Sequence, residues 1–149
     1  MLLFLSTTIQ NAIFINNSVV DGLGGAIGFY ADVIKTDMNS IFINNSVNNG
    51  YGGAIFFNGN LNNVIISGNY TANTAGDYGG AILFNGDLNN VIISGNYTAN
   101  KADDGGAIFF IGNLIDVNIS GYHNNNQAND TAGVFLFINN LTNVVISGD

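Results

Sequence analysis

The feature that most constrains the fold of this chain is a motif that returns on a near-constant period. Gly52-Gly53-Ala54-Ile55-Phe56-Phe57 recurs as Gly79-Gly80-Ala81-Ile82-Leu83-Phe84 and as Gly105-Gly106-Ala107-Ile108-Phe109-Phe110. Weaker copies begin at Gly24-Gly25 and Ala132-Gly133, so the second glycine falls at 25, 53, 80, 106 and 133, in steps of 28, 27, 26 and 27. Val64-Ile65-Ile66-Ser67-Gly68 keeps step with it through copies at Val91, Val117 and Val144. A third block, aromatic-x-x-Asn, starts at Phe14, Phe42, Tyr70 and Tyr97 and closes with His123-Asn124-Asn125-Asn126. A period of this size marks a solenoid or an array.

Composition decides what fills the repeat. Gly (20) and Asn (28) make up about a third of the 149 residues and are poor helix formers. Ile, Val, Phe and Tyr arrive between them in short runs, the pattern of strands and turns. The spacing predicts three strands per unit, for example over 64–67, 70–73 and 81–84, joined by bends of unequal length. Antiparallel hairpins require tight two-residue turns between most strands, which unequal connections do not supply. The expected fold is therefore all-β, a parallel β-helix of about five coils of ~27 residues, whose strands pair with their equivalents one coil away. Residues 1–149 read as one β-helix segment of a longer repeat protein. At ~4.8 Å per coil it forms a rod on the order of 25 Å long. Its open ends predict end-to-end self-association.

Alternation assigns the interior. Ile65, Ile92, Asn118 and Val145 occupy one position, and its tolerance of Asn turns it outward, leaving Val64 and Ile66 inside. In the Gly-Gly strand, Ile55 and Phe57 with their equivalents point inward. Phe56, Leu83, Phe109 and Leu136 point outward as an apolar stripe, the expected interaction surface, unless flanking loops cover it. Three structural ladders are expected. Asn17, Asn45, Asn73, Asn100 and Asn126 stack as amides at a bend. Phe14, Phe42, Tyr70, Tyr97 and His123 stack as rings. Gly25, Gly53, Gly80, Gly106 and Gly133 recur at the next corner, where the paired glycines, like the ladder asparagines, are expected to take left-handed backbone.

The charged residues are ten Asp and two Lys, giving a net charge of −8 with no Arg, Glu or Cys. Such a chain cannot neutralise a phosphate backbone, which argues against a nucleic-acid partner. It also cannot build a thiolate metal site or a disulfide. No apolar run reaches the ~18 residues of a membrane helix, so no transmembrane segment is expected. Met1-Leu2-Leu3-Phe4-Leu5 reads as a first strand or truncated end rather than a signal remnant, because it lacks a basic flank and a cleavage site.

Several residues invite a chemical reading. His123 is the single imidazole, but its register places it in the aromatic ladder, so a stacked ring is expected rather than a base. Asp77, Asp103, Asp104 and Asp130, with Asp21, all precede a Gly-Gly strand. In a solenoid they form an acidic column, and calcium is the one cofactor it suggests, set against a solvated turn. Seven Asn-x-Ser/Thr sequons begin at Asn16, Asn44, Asn69, Asn96, Asn118, Asn129 and Asn140, of which Asn69 and Asn96 are expected at bends.

The pairing of Gly-Gly-Ala-Ile with Phe-x-x-Asn over residues 11–149 resembles the polymorphic outer-membrane protein repeat of chlamydial surface autotransporters. It is also similar to adhesin-like surface proteins of methanogenic archaea, whose Asn-rich segments match residues 42–46 and 63–68. Tyr70, Tyr97 and His123 stand where that pattern has Phe, and Ala132-Gly133 where it has Gly-Gly. The resemblance implies a right-handed parallel β-helix, an extracellular, cell-surface location, and attachment to a glycan or protein ligand without catalytic residues. The alternative is a carbohydrate-active β-helix enzyme, a pectate-lyase-like polysaccharide lyase or a glycoside hydrolase, which needs acidic groups converging on one groove. Fold alone does not decide between them.

Overall fold

The computed structural model describes residues 8–149, so the expectation for Met1–Leu5 lies outside the described residues. The described chain is all-β, a parallel solenoid of three sheets. The long sheet stacks Thr8–Ile15, Asp37–Ile43, Leu61–Thr71, Leu88–Thr98, Leu114–Asn124 and Leu141–Thr142 in that order, with Val33–Ile34 and Val145–Ile146 as side pairings. The corner sheet stacks Ser18–Leu23, Ser46–Tyr51, Thr74–Ala75, Lys101–Asp104 and Gln127–Thr131. The glycine sheet stacks Ile27–Phe29, Ile55–Phe57, Ile82–Phe84, Ile108–Phe110 and Phe135–Phe137. Every pairing between coils is parallel, and equivalent residues face one another: Ile55 with Ile82 with Ile108, and Tyr70 with Tyr97 with His123.

Three strands per coil were expected, but they divide differently. Residues 64–67 and 70–73 are not two strands. Pairing continues from Leu61 through Thr71, so Gly68-Asn69 is no turn but a bend within one strand, with Gly68 at φ 114°. Pairing persists because Gly68 absorbs the bend while Asn69, Tyr70 and Thr71 stay in register with Asn96, Tyr97 and Thr98. The corner sheet begins only after the Asn73 corner.

Left-handed backbone recurs three times per coil. It falls on Lys35, Asn63, Asn90, Asp116 and Asn143, on Asn16, Asn44, Ala72, Ala99 and Asn125, and on the first glycine of each pair, replaced in the last coil by Ala132. The ladder asparagines are thus not the left-handed residues. The residue before each one takes the turn, leaving the amide free to point along the axis. The paired glycines also divide the work. Gly52 and Gly79 carry positive φ, whereas a Cβ on Gly53 would sit 2.1 Å from the Gly80 carbonyl oxygen. The second glycine is therefore required by close backbone approach.

The core is the interior of the coil. Val64, Ile66, Ile82, Phe84, Tyr70 and Tyr97 are buried in it with their stacked equivalents of the middle coils, and Phe14, Phe135, Phe137 and Val144 pack partly buried at the ends. Two ring columns run through it. Phe14, Phe42, Tyr70, Tyr97 and His123 stack at 4.8, 5.0, 4.7 and 5.4 Å between centroids. Phe29, Phe57, Phe84, Phe110 and Phe137 stack at 4.8, 5.0, 5.2 and 4.8 Å. Stacked pairs contribute about 0.5–1.5 kcal/mol each beyond the area they bury. Such columns give a narrow rod a continuous core.

At the corner between the long and corner sheets the amide ladder closes its own hydrogen bonds. Asn73 Nδ2 donates to Asn100 Oδ1 at 3.0 Å and to the Phe42 carbonyl at 3.0 Å. Its Oδ1 accepts from the backbone N–H and the Nδ2 of Asn45, both at 3.0 Å. Asn45 and Asn100 repeat the pattern, Asn17 donates into it and Asn126 receives the last rung. Four hydrogen bonds per rung satisfy a buried amide, which is what permits Asn45, Asn73 and Asn100 to be fully buried.

Candidate binding face

The stripe of Phe56, Leu83, Phe109 and Leu136 does point away from the core, but it is not a surface. Phe56, Leu83 and Phe109 are only 3, 0 and 5 % exposed. Leu23, Tyr51, Tyr78 and Ile111 fold over them as a second apolar cluster, with Leu136 packed at its end. Tyr51 stacks on Tyr78 at 5.0 Å and Tyr78 on Phe109 at 4.9 Å. Tyr51, at the end of its corner strand, and Tyr78, level with it in the next coil, turn back over the stripe. The sequence contained the signal, since Tyr51 and Tyr78 share one register position. Burial removes the stripe as a docking surface.

The aspartates do not make one continuous column: Asp21 stands level with Asn49 and Asp104 with Tyr78, while Asp77 and Asp103 stay level with each other. Asp21 accepts from Asn49 Nδ2 and Asp103 from Asn129 Nδ2, both at 2.6 Å. Asp104 pairs with Tyr78, so it stands in the column of Tyr51 and Tyr78, facing the apolar cluster rather than its fellow acids. The loops differ in length by a residue from coil to coil, and each slip moves a carboxylate to another column. Among the described residues no three His or Asp side chains come together as a metal site. The carboxylates act as ladder members: Asp87 Oδ1 accepts from the backbone N–H of Asn113 at 2.7 Å and from its Nδ2 at 3.0 Å.

His123 occupies the aromatic slot. It stacks on Tyr97, meets Phe135 edge-on at 4.8 Å, and its backbone N–H donates to the Asp149 carbonyl at 2.7 Å. Neither ring nitrogen has a hydrogen-bond partner among the described residues, and burial holds its pKa below the usual 6.5. The Tyr97 hydroxyl is also buried without a partner, and its pKa is pushed well above 10.0, by burial and by the neighbouring Tyr70. These are core rungs carrying polar atoms.

What remains open is the outer face of the long sheet. Its outward positions form columns in register: Asn62 with Asn89, Ile65 with Ile92, Asn69 with Asn96, and Thr71 with Thr98. Ile65 and Ile92 are 41 and 42 % exposed, and Tyr122, paired with Asn96, is 47 % exposed. Asn96 Nδ2 donates to Asn69 Oδ1 at 3.0 Å. The sequons at Asn69 and Asn96 therefore lie within strands on this face, Asn69 at the bend that Gly68 makes, and not in turns between strands. The bend at Gly68 dents the sheet, and a cavity of about 300 Å³ opens there over the first three long strands. The face combines exposed aliphatic side chains with rows of amides and hydroxyls, and sequence reasoning passed over it because each strand alone shows only alternation.

The described residues hold no helix, hence none long and apolar enough to cross a membrane. Comparison with protein-family models, with curated proteins and with solved structures finds no match.

Proposed function

We propose that this chain is an adhesin-like, cell-surface binding or spacer module in which the β-helix presents the outer face of its long sheet to a glycan or protein ligand, without catalysis. The observation that carries this reading is that face: exposed Ile65 and Ile92, aligned on successive coils and continued by Asp37 and Asn118, flanked by asparagine and threonine in register. Aliphatic surface beside neutral donors and acceptors suits a polyhydroxylated ligand, whose C–H faces and hydroxyls alternate. The extracellular location and the kinship with polymorphic outer-membrane and archaeal adhesin-like repeats rest on the shared Gly-Gly-Ala-Ile and aromatic-x-x-Asn motifs.

The test is retention of the chain on an array of cell-wall and host glycans, with and without calcium, while released reducing ends are assayed in the same wells. Retention without cleavage is the expected result, and an Ile65→Ser/Ile92→Ser variant is expected to lose it. Release of reducing ends, or of unsaturated products, overturns the reading in favour of the lyase or hydrolase. Calcium-dependent retention would assign the aspartates a role that their present pairings do not suggest.

A further inference from the structure

The dent in the long sheet gathers amides that are not paired with one another. Several outward asparagines elsewhere on the rod hydrogen-bond along the axis, as in Asn44 to Asn16, Asn85 to Asn58, Asn90 to Asn63 and Asn96 to Asn69. Around the dent the ladder is interrupted. Asn39 pairs in the sheet with Gln10 and with Ser67, not with another asparagine. The register then slips between Gln10 and Ile13, and Asn11 turns left-handed at φ 56°. The side-chain amides of Asn11 and Asn39 are exposed and make no hydrogen bond to the described residues. Asn69, whose Oδ1 accepts from Asn96 while its Nδ2 makes no hydrogen bond to the described residues, completes a set of three amides on three successive long strands around one cavity.

The remaining wall is apolar or already satisfied. Ile13 and Ile41, paired across the first two strands, line one side. Ser40 lies on the floor, where its Oγ donates to the Ile9 carbonyl at 3.0 Å and accepts from the Ala12 backbone N–H at 3.4 Å, so it shapes the cavity instead of offering a free group. No charged side chain lines the cavity. Its ligand is therefore neutral, has one apolar face, and both donates and accepts hydrogen bonds, because an amide does both. A volume of about 300 Å³ stands at the lower limit of small-molecule sites, which admits one ring and not an oligomer.

We infer that this dent is a binding site for a single neutral pyranose unit, with its C–H face on Ile13 and Ile41 and its hydroxyls on Asn11, Asn39 and Asn69. The inference rests on the glycan-binding reading above and narrows it to one subsite. The ring belongs to a terminal or branching sugar, since the cavity is confined to the first three long strands.

The test is titration of the whole chain with methyl glycosides of glucose, galactose, mannose and N-acetylglucosamine, followed by calorimetry and by amide NMR shifts. At least one glycoside is expected to bind, moving the Ala12, Ser40 and Gly68 amides. Asn39→Ala should weaken it at least about tenfold, the loss of a well-made polar contact. Asn48→Ala, exposed on the corner sheet away from the binding face, should leave it within about twofold. Asn39 has no hydrogen bond to lose, so the variant folds. If the chain is retained on the glycan array but no glycoside binds, or Asn39→Ala binds as tightly as the parent, the dent is overturned while the binding face stands. If neither array nor glycosides bind, both fall.

Discussion

Residues 88–110 and 114–137 carry the same motif one coil apart, yet they are different environments. In the first, Tyr97, Asn100 and Phe110 are fully buried. In the second, their partners His123, Asn126 and Phe137 are only half-buried. The boundary runs through the second coil itself. Leu114, Val117 and Ile119 are buried because the long sheet gains Leu141–Thr142 and Val145–Ile146 above them, while the corner and glycine sheets end at Gln127–Thr131 and Phe135–Phe137. A rung is thus worth what both of its neighbours make of it, the nearest-neighbour logic of a solenoid.

The sharpest way to break the comparison is at the second glycine. A Cβ on Gly80 meets the Gly106 carbonyl oxygen at 2.1 Å and the Lys101 nitrogen at 2.6 Å, all backbone, whereas on Gly133 the nearest atom is the Asn126 carbonyl oxygen at 3.1 Å. Gly80→Ala should cost more than about 4 kcal/mol and prevent folding of the middle coils. Gly133→Ala should cost about 1 kcal/mol or less, with urea unfolding midpoints as the measure. Equal losses would show that the two coils are equivalent after all.

Next come the amides. Asn73→Ala leaves the Phe42 carbonyl, the backbone N–H of Asn45 and one of the two N–H donors on Asn45 Nδ2 without partners inside the coil, a loss of roughly 3–5 kcal/mol. Asn126→Ala removes the same set of bonds where water reaches, and should cost about 1–2 kcal/mol. A ratio near one in chemical denaturation would contradict the neighbour argument.

The period, the parallel pairing, the interior positions and the amide, ring and glycine columns were all legible in the sequence, because each is a statement about one residue repeated at a fixed step. What was hidden depends on relations between columns. The shared register position of Tyr51 and Tyr78 was in the sequence, but not that they return over Phe56 and Leu83, nor that Asp21 and Asp104 stand level with Asn49 and Tyr78 instead of with other acids. The binding face was hidden for the same reason: Ile65 and Asn69 look like ordinary outward residues until stacking aligns them with Ile92 and Asn96. The dent needs more still, a register slip at Gln10 and a bend at Gly68 acting on adjacent strands.

Tyr97→Phe and the titration of His123 give smaller effects that sharpen the picture. The Tyr97 hydroxyl is buried without a partner, so Tyr97→Phe should leave stability unchanged or raise it by up to about 1 kcal/mol, read from the melting midpoint. His123 titrates below 6.5 when folded, so the unfolded chain binds the extra proton first. Stability is therefore complete at neutral pH and falls as pH drops through 6.5 toward the lowered folded pKa. Replacing His123 by Phe should remove that part of the pH dependence and leave the carboxylate part, measured as unfolding midpoints between about pH 5 and 8.

Native-state amide hydrogen exchange tests most directly whether each rung draws its stability from the coils on both sides. Protection should be greatest and nearly uniform across Leu61–Thr71, Leu88–Thr98 and Ile108–Phe110, and fall within the next coil, with Gln127–Thr131 and Phe135–Phe137 opening well below the global unfolding free energy while Leu114–Asn124 stays closed. Uniform protection from Leu61 to Phe137, or opening of the whole coil as one unit, would contradict the account.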